Sequence, residues 1–150
     1  MWFMNKIANP FVRWILRSPL HGMMSADVLL ITCCGRKSGK EYTLPVQYTQ
    51  NGRILIIIPG MPEKKTWWRN LRGGAIVGLV LAGKELSGRA NVLEGEGNAE
   101  QIAQALELYL QRFASAASMH NVQHAADGSF DQADLRRLAF SSVVVLVEMD

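Results

Sequence analysis

The chain has 150 residues, 49% hydrophobic and 19% charged, with a formal net charge of +3. That length and balance fit one domain with a real core, here residues 1–150, and exclude global disorder. No apolar run approaches the roughly 20 residues of a membrane-spanning helix. The first residues also lack a secretory cleavage site, so the expected location is cytoplasmic.

The charge is uneven. Residues 1–90 hold 13 Lys/Arg against 4 Asp/Glu, a net of +9, whereas residues 91–150 hold 3 against 9, a net of −6. An anionic ligand therefore belongs to the first part of the chain. The cations fall in two short segments rather than along one helix, and no nucleic-acid motif accompanies them. The expected partner is a small molecule, not nucleic acid.

Residues 1–17 mix Trp2, Phe3, Ile7, Phe11 and Trp14 with Lys6, Arg13 and Arg17 at helical spacing. They read as an amphipathic N-terminal helix, interrupted at Pro10. Its expected role is to cover an open end of a sheet; a peripheral contact with a membrane surface is the alternative. His21 follows in a loop. Val28–Cys33 is an apolar strand, and Cys33 and Cys34 point to opposite faces of it. Adjacent cysteines rarely bridge and lack the spacing of a metal site; they read as reduced residues.

Gly35 to Lys40, GRKSGK, puts three cations, a hydroxyl and two glycines into six residues. Glycines near both ends let the backbone turn and expose its N–H groups. Arg36, Lys37 and Lys40 add charge, and Ser38 adds a short-range donor. That composition suits an anion such as phosphate, or a plain basic hairpin turn. Tyr42–Gln50 is the next strand, with Pro45 marking an edge or bulge. Asn51-Gly52 is a hairpin signal, and Arg53–Ile58 returns.

Pro59-Gly60-Met61-Pro62 breaks the pattern. Glu63–Arg72, EKKTWWRNLR, reads as a short helix ended by Gly73-Gly74. It adds Lys64, Lys65, Arg69 and Arg72 to the basic turn, and Thr66 with the first free amides of the helix can donate. Trp67 and Trp68 point in different directions from adjacent positions. Trp68 is expected in the core; Trp67 suits either the core or the flat face of a ligand. A planar ligand with an acidic tail would need these components together.

Ala75–Leu81 and Glu85–Leu93 form a second hairpin. Asn98–Phe113 is the cleanest helix, with Asn98 at the capping position. Residues 114–130 are small and polar. His120, His124 and Asp127 have a spacing that could hold a metal on a helix, but no further ligand supports it, and no metal is expected. Asp131–Phe140 is a short helix. Ser142–Glu148 closes the chain as a strand buried on both faces. Six strands with helices outside predict a mainly β (α+β) fold, a six-stranded antiparallel barrel. Its interior is filled, so ligands lie on its outside or in a cleft at its edge.

NPFVRWILRSPLH, then SADVLLITCCGRKSGKEYTLPVQY and WWRNL, resemble the deazaflavin (F420)-dependent nitroreductases and F420H2-dependent quinone reductases of the FMN-binding split-barrel superfamily. The likeness runs from about Asn9 to Val92. It implies a split β-barrel that uses coenzyme F420, with FMN as the alternative. Arg36, Lys37, Ser38, Gly39 and Lys40 would hold the phosphate and acidic tail. Pro59, Gly60, Met61, Lys65, Thr66, Trp67 and Trp68 would border the ring. The implied reaction passes a hydride to a quinone, nitroaromatic or similar electron-poor acceptor. Tyr48, His120 and His124 are the candidates for proton donation. Monomer and homodimer both occur in the family. The rival reading is a non-catalytic protein that binds FMN or lipid.

Overall fold

The computed structural model describes residues 28–82 and 84–150. Seven strands form one antiparallel sheet: β1 (Val28–Cys34), β2 (Glu41–Gln47), β3 (Thr49–Asn51), β4 (Ile54–Ile57), β5 (Ala75–Leu81), β6 (Lys84–Leu93) and β7 (Val144–Met149). Three α-helices follow β6: α1 (Ala99–Arg112), α2 (Ala114–Met119) and α3 (Gln132–Ser141). The expected N-terminal helix 1–17 and His21 lie outside the described residues. No helix among the described residues is long and apolar enough to cross a membrane.

The spatial order is β2-β1-β5-β6-β7-β4-β3. Its two edges, β2 and β3, are consecutive in the chain and separated by Tyr48 alone. One residue cannot span an open sheet, so the sheet curls until its edges meet. The barrel expected from sequence had six strands, and the structure has seven. The difference is local: the strand expected over Tyr42–Gln50 breaks at Tyr48, and each half pairs with a different neighbour. Pro45 sits where a strand tolerates it, on the edge strand β2.

Alternation decides which side chains fill the barrel. Leu29, Ile31, Cys33, Leu55, Ile57, Val77, Leu79, Val145 and Val147 point inward with Trp68 and Leu71. The intervening Ile56 and Val144 face outward and pack with Ile102, Leu106, Leu110 and Leu135 of α1 and α3. β7 is thus buried on both faces, as its unbroken apolar run requires.

The two helix starts differ. Asp131 accepts the amide of Asp134 at 3.0 Å and caps α3. Asn98 precedes α1 but makes no side-chain cap; its amide group donates instead to the Glu94 carbonyl at 3.0 Å.

Candidate functional site

The turn after β1 closes on itself. Gly35 N donates to Lys40 O at 2.8 Å and Gly39 N to Gly35 O at 2.9 Å. Lys40 N donates to Ser38 Oγ at 3.2 Å. Both glycines are required. Gly39 has φ +69°, and a Cβ on Gly35 would lie 2.7 Å from Ser38 Oγ. The result is narrower than the open cradle expected. Among the described residues the amides of Lys37 and Ser38 and the Ser38 hydroxyl proton remain for an anion, with the cations around them.

Arg36 faces the other way. Its amide donates to Asn70 Oδ1 at 3.1 Å, and its Nε donates to Asn70 O at 3.2 Å. Asn70 in turn donates from Nδ2 to Trp67 O at 3.1 Å. The two cationic segments therefore converge through Asn70, which the sequence reading had passed over.

The expected helix over Glu63–Arg72 is shorter, a single 3₁₀ stretch, Trp67–Leu71. A tight turn occupies its first residues, with Lys64 N and Lys65 N both donating to Met61 O at 2.9 and 3.0 Å. The consecutive Thr66, Trp67 and Trp68 are poor helix formers. Thr66 flanks the helix without a side-chain cap. Gly73 and Gly74 end the segment at φ +81° and +95°. Trp68 is core: it is 3% exposed and donates from Nε1 to Pro62 O at 3.0 Å. The guanidinium groups of Arg69 and Arg72 lie 5.5 and 4.9 Å from the centre of its ring. Arg72 is also held by Glu94 in a two-pronged ion pair at 2.7 and 2.8 Å, so it is committed to the fold rather than to a ligand.

Trp67 is half-buried against the barrel core and opens onto a cleft of about 640 Å³ between the barrel and its helices. One wall is the Pro59–Glu63 segment with Lys65 and Trp67; another is Leu44–Gln47 of β2. The helices supply the far side, through Leu106, Tyr109, Ala116, Leu138 and Ser141, with His120 just past the end of α2. The lining is mainly apolar with a few polar groups, as a site for a flat organic molecule should be. Tyr109 donates to Gln47 Oε1 at 3.3 Å across it, and burial pushes the Tyr109 hydroxyl above its ordinary pKa.

Of the residues expected to border a ring, Pro59, Gly60, Met61, Lys65 and Trp67 line the cleft, Thr66 does not, and Trp68 lies behind them. Arg36 to Lys40 do not line it; Arg36 is tied through Asn70 to Trp67, which does. Of the proton-donor candidates, His120 lines the cleft. Tyr48 is buried in the barrel at the break between β2 and β3. His124 stacks on Phe130 with ring centres 4.9 Å apart, and its Nδ1 lies 3.0 Å from Gly128 O. His124 follows the end of α2, so helical spacing does not bring it to His120. Among the described residues no three His, Cys, Asp or Glu gather as a metal site. The sequence reading missed the β2 wall and the α3 wall. Alternation on β2 was a usable signal for the first; nothing local signals the second.

A small antiparallel barrel with an apolar cleft between it and its helices, and a basic turn tied to one wall of that cleft, fits a split-barrel protein of the flavin- and deazaflavin-binding class. The F420H(2)-dependent quinone reductase family model matches residues 18–121. The chain belongs to that family: it is an F420-dependent oxidoreductase, and its cofactor is coenzyme F420. Among solved structures, one described as an F420-H2 dependent reductase (FDR-A) is 18% identical, with a TM-score of 0.54, covering 81% of this chain and 94% of that one. Another, described as a domain-swapped dimer, is 16% identical, with a TM-score of 0.59, covering 97% and 98%. At these identities the likeness is one of fold. No curated protein matches the chain.

The residues present fit the cofactor. The cleft offers an apolar bed and one indole for a planar ring. The basic turn offers the Lys37 and Ser38 amides and the Lys37 and Lys40 side chains, which have no partner among the described residues, and the Ser38 hydroxyl, for a phosphate and an acidic tail.

Proposed function

We propose that the cleft seats the deazaflavin ring and that the physiological acceptor is a quinone. Reduced F420, when bound, supplies a hydride to such an acceptor. In this reading Trp67 covers one side of the ring, and Pro59, Gly60 and Met61 border its edge. Lys65 lines the cleft, with Thr66 next to it in the chain. The acidic tail leads out to Lys37, Ser38, Gly39 and Lys40, with Arg36 holding the turn in place. His120, at the helical wall, carries the proton that a reduced quinone oxygen takes up. The apolar lining keeps water away from the reacting face.

The supporting observation is the link Arg36–Asn70–Trp67, which fastens the basic turn to the short helix whose Trp67 lines the cleft. The test is fluorescence titration with F420, with an Arg36→Ala/Lys40→Ala double variant as control. Binding at micromolar concentration needs about 8 kcal/mol, which several charge-assisted bonds of about 1.5–3 kcal/mol can supply. Absence of binding at tens of micromolar (about 6 kcal/mol) overturns the proposal.

A further inference from the structure

Two neighbouring residues at the cleft mouth have exchanged the conformations their types would choose. Met61 has φ +48°, in the left-handed region where a side chain is strained and glycine is at ease. Gly60, just before it, has no such φ, and a Cβ built on it meets nothing within 4 Å among the described residues. The fold alone would place glycine at 61 and accept a side chain at 60. Among the described residues, the other non-glycine residues with positive φ are Ala82 and Asn121. Alanine is small, and asparagine tolerates this region. Met61 is the bulky exception.

The fold gains little from the Met61 side chain. It is 55% exposed, so it buries little apolar surface in exchange for its strained backbone. Its carbonyl, which accepts from Lys64 N and Lys65 N, holds the turn together. A glycine there would do the same. Both residues line the cleft. Strain that the surrounding fold does not use collects at functional sites.

We infer that Met61 is an acceptor-selecting residue: its thioether side chain covers a flat, apolar acceptor in the cleft, and Gly60 is left bare so that a bound molecule can reach the backbone. The inference rests on the proposed use of the cleft. The charged groups around it suit a cofactor with an acidic tail. An acceptor without charge must be recognised by shape and apolar contact. Methionine serves that purpose because it is unbranched, polarisable and adapts to aromatic edges.

Three variants and one footprint test this. Met61→Gly removes the cover and relieves the backbone, Met61→Ala removes the cover and keeps the strain, and Met61→Leu keeps an apolar cover. The melting temperature of Met61→Gly stays level or rises. Its preference for an alkyl-substituted naphthoquinone over unsubstituted benzoquinone, measured as the ratio of their kcat/KM values, falls about tenfold. Met61→Ala loses the preference similarly, and Met61→Leu retains most of it. Independently of turnover, 2-methyl-1,4-naphthoquinone alone slows peroxide oxidation of Met61 in the unaltered protein, read by peptide mass spectrometry.

An unchanged preference in both Met61→Gly and Met61→Ala, or an oxidation rate indifferent to the quinone, overturns the inference. A clear fall in melting temperature of Met61→Gly overturns it too, by giving the side chain a structural role. Failure of the unaltered protein to bind F420 would sink the reading of the cleft instead, and the footprint would still decide this one.

Discussion

Arg36 and Asn70 are 34 positions apart and joined twice, once through the Arg36 amide and once through its Nε. Asn70 then holds the Trp67 carbonyl. The pair makes the position of the basic turn depend on the helix that carries the cleft-lining indole. Asn70→Ala removes the acceptor for the Arg36 amide and the donor to Trp67, but keeps the backbone carbonyl. The bonds are exposed or half-exposed, so the cost to the fold is about 1 kcal/mol. The larger effect is expected in binding: F420 affinity falls by about tenfold, while a deazaflavin without the phosphate and acidic tail loses less. Fluorescence titration with both ligands checks this; equal losses would mean that Asn70 acts on the ring site alone.

Gly35 and Gly39 serve the same turn for different reasons. Gly39→Ala places a side chain at φ +69° in open space, a strain of about 1–2 kcal/mol with no collision. Gly35→Ala drives a Cβ to 2.7 Å from Ser38 Oγ and 3.1 Å from the Tyr42 ring. Ser38 must then move, and with it the contact that Lys40 N makes. Gly35→Ala should weaken F420 binding more than Gly39→Ala does. Calorimetric melting beside the titration separates lost binding from lost fold.

Much of this site could be read along the chain, because its parts are local. Glycines bracket the basic turn, Gly73-Gly74 stop the tryptophan segment, and adjacency alone sends Trp67 and Trp68 to different surroundings. The fold class was legible for the same reason, from alternation and hairpin signals. The break at Tyr48 was not, since it arises only when the sheet closes and one strand must serve two edges. The length of the helix expected over Glu63–Arg72 was overstated because the spacing of its cations resembles a helix, while the backbone of Met61 to Lys65 prefers a turn. Asn70 reads as an ordinary polar residue until the fold brings Arg36 to it. The α3 wall of the cleft depends on how helices dock against β4 and β7, which no local pattern records.

Cys33 makes stability depend on alkaline pH. Burial, helped by the neighbouring Cys34, raises its thiol pKa from 9.0 to about 11. Below pH 9 the thiol is protonated in folded and unfolded chains alike, and its contribution is fully present. Between pH 9 and about 11 the unfolded chain releases the proton and the folded chain keeps it. Stability then falls by about 1.4 kcal/mol per pH unit from this group. Tyr109, raised by burial, adds to the loss at the upper end. Urea unfolding from pH 8 to 11 should show the decline, and Cys33→Ala should flatten its first part. A slope unchanged in Cys33→Ala would assign the effect elsewhere.

The two tryptophans should separate fold from function. Trp68 is 3% exposed, bonded to Pro62 O and flanked by Arg69 and Arg72. Trp68→Ala removes core volume and leaves that carbonyl without its donor, at a cost of about 3–5 kcal/mol, so the variant melts far lower or fails to fold. Trp68→Phe keeps most of the volume and loses the hydrogen bond, at about 1–2 kcal/mol. Trp67 has one side on the barrel core and the other on the cleft. Trp67→Ala should cost the fold less than Trp68→Ala and F420 affinity at least tenfold. Trp67→Phe should recover part of that affinity, because a ring still meets a ring. Denaturant midpoints and F420 titrations on the four variants give the comparison. If Trp67→Ala binds F420 as the unaltered protein does, the ring does not lie against that indole.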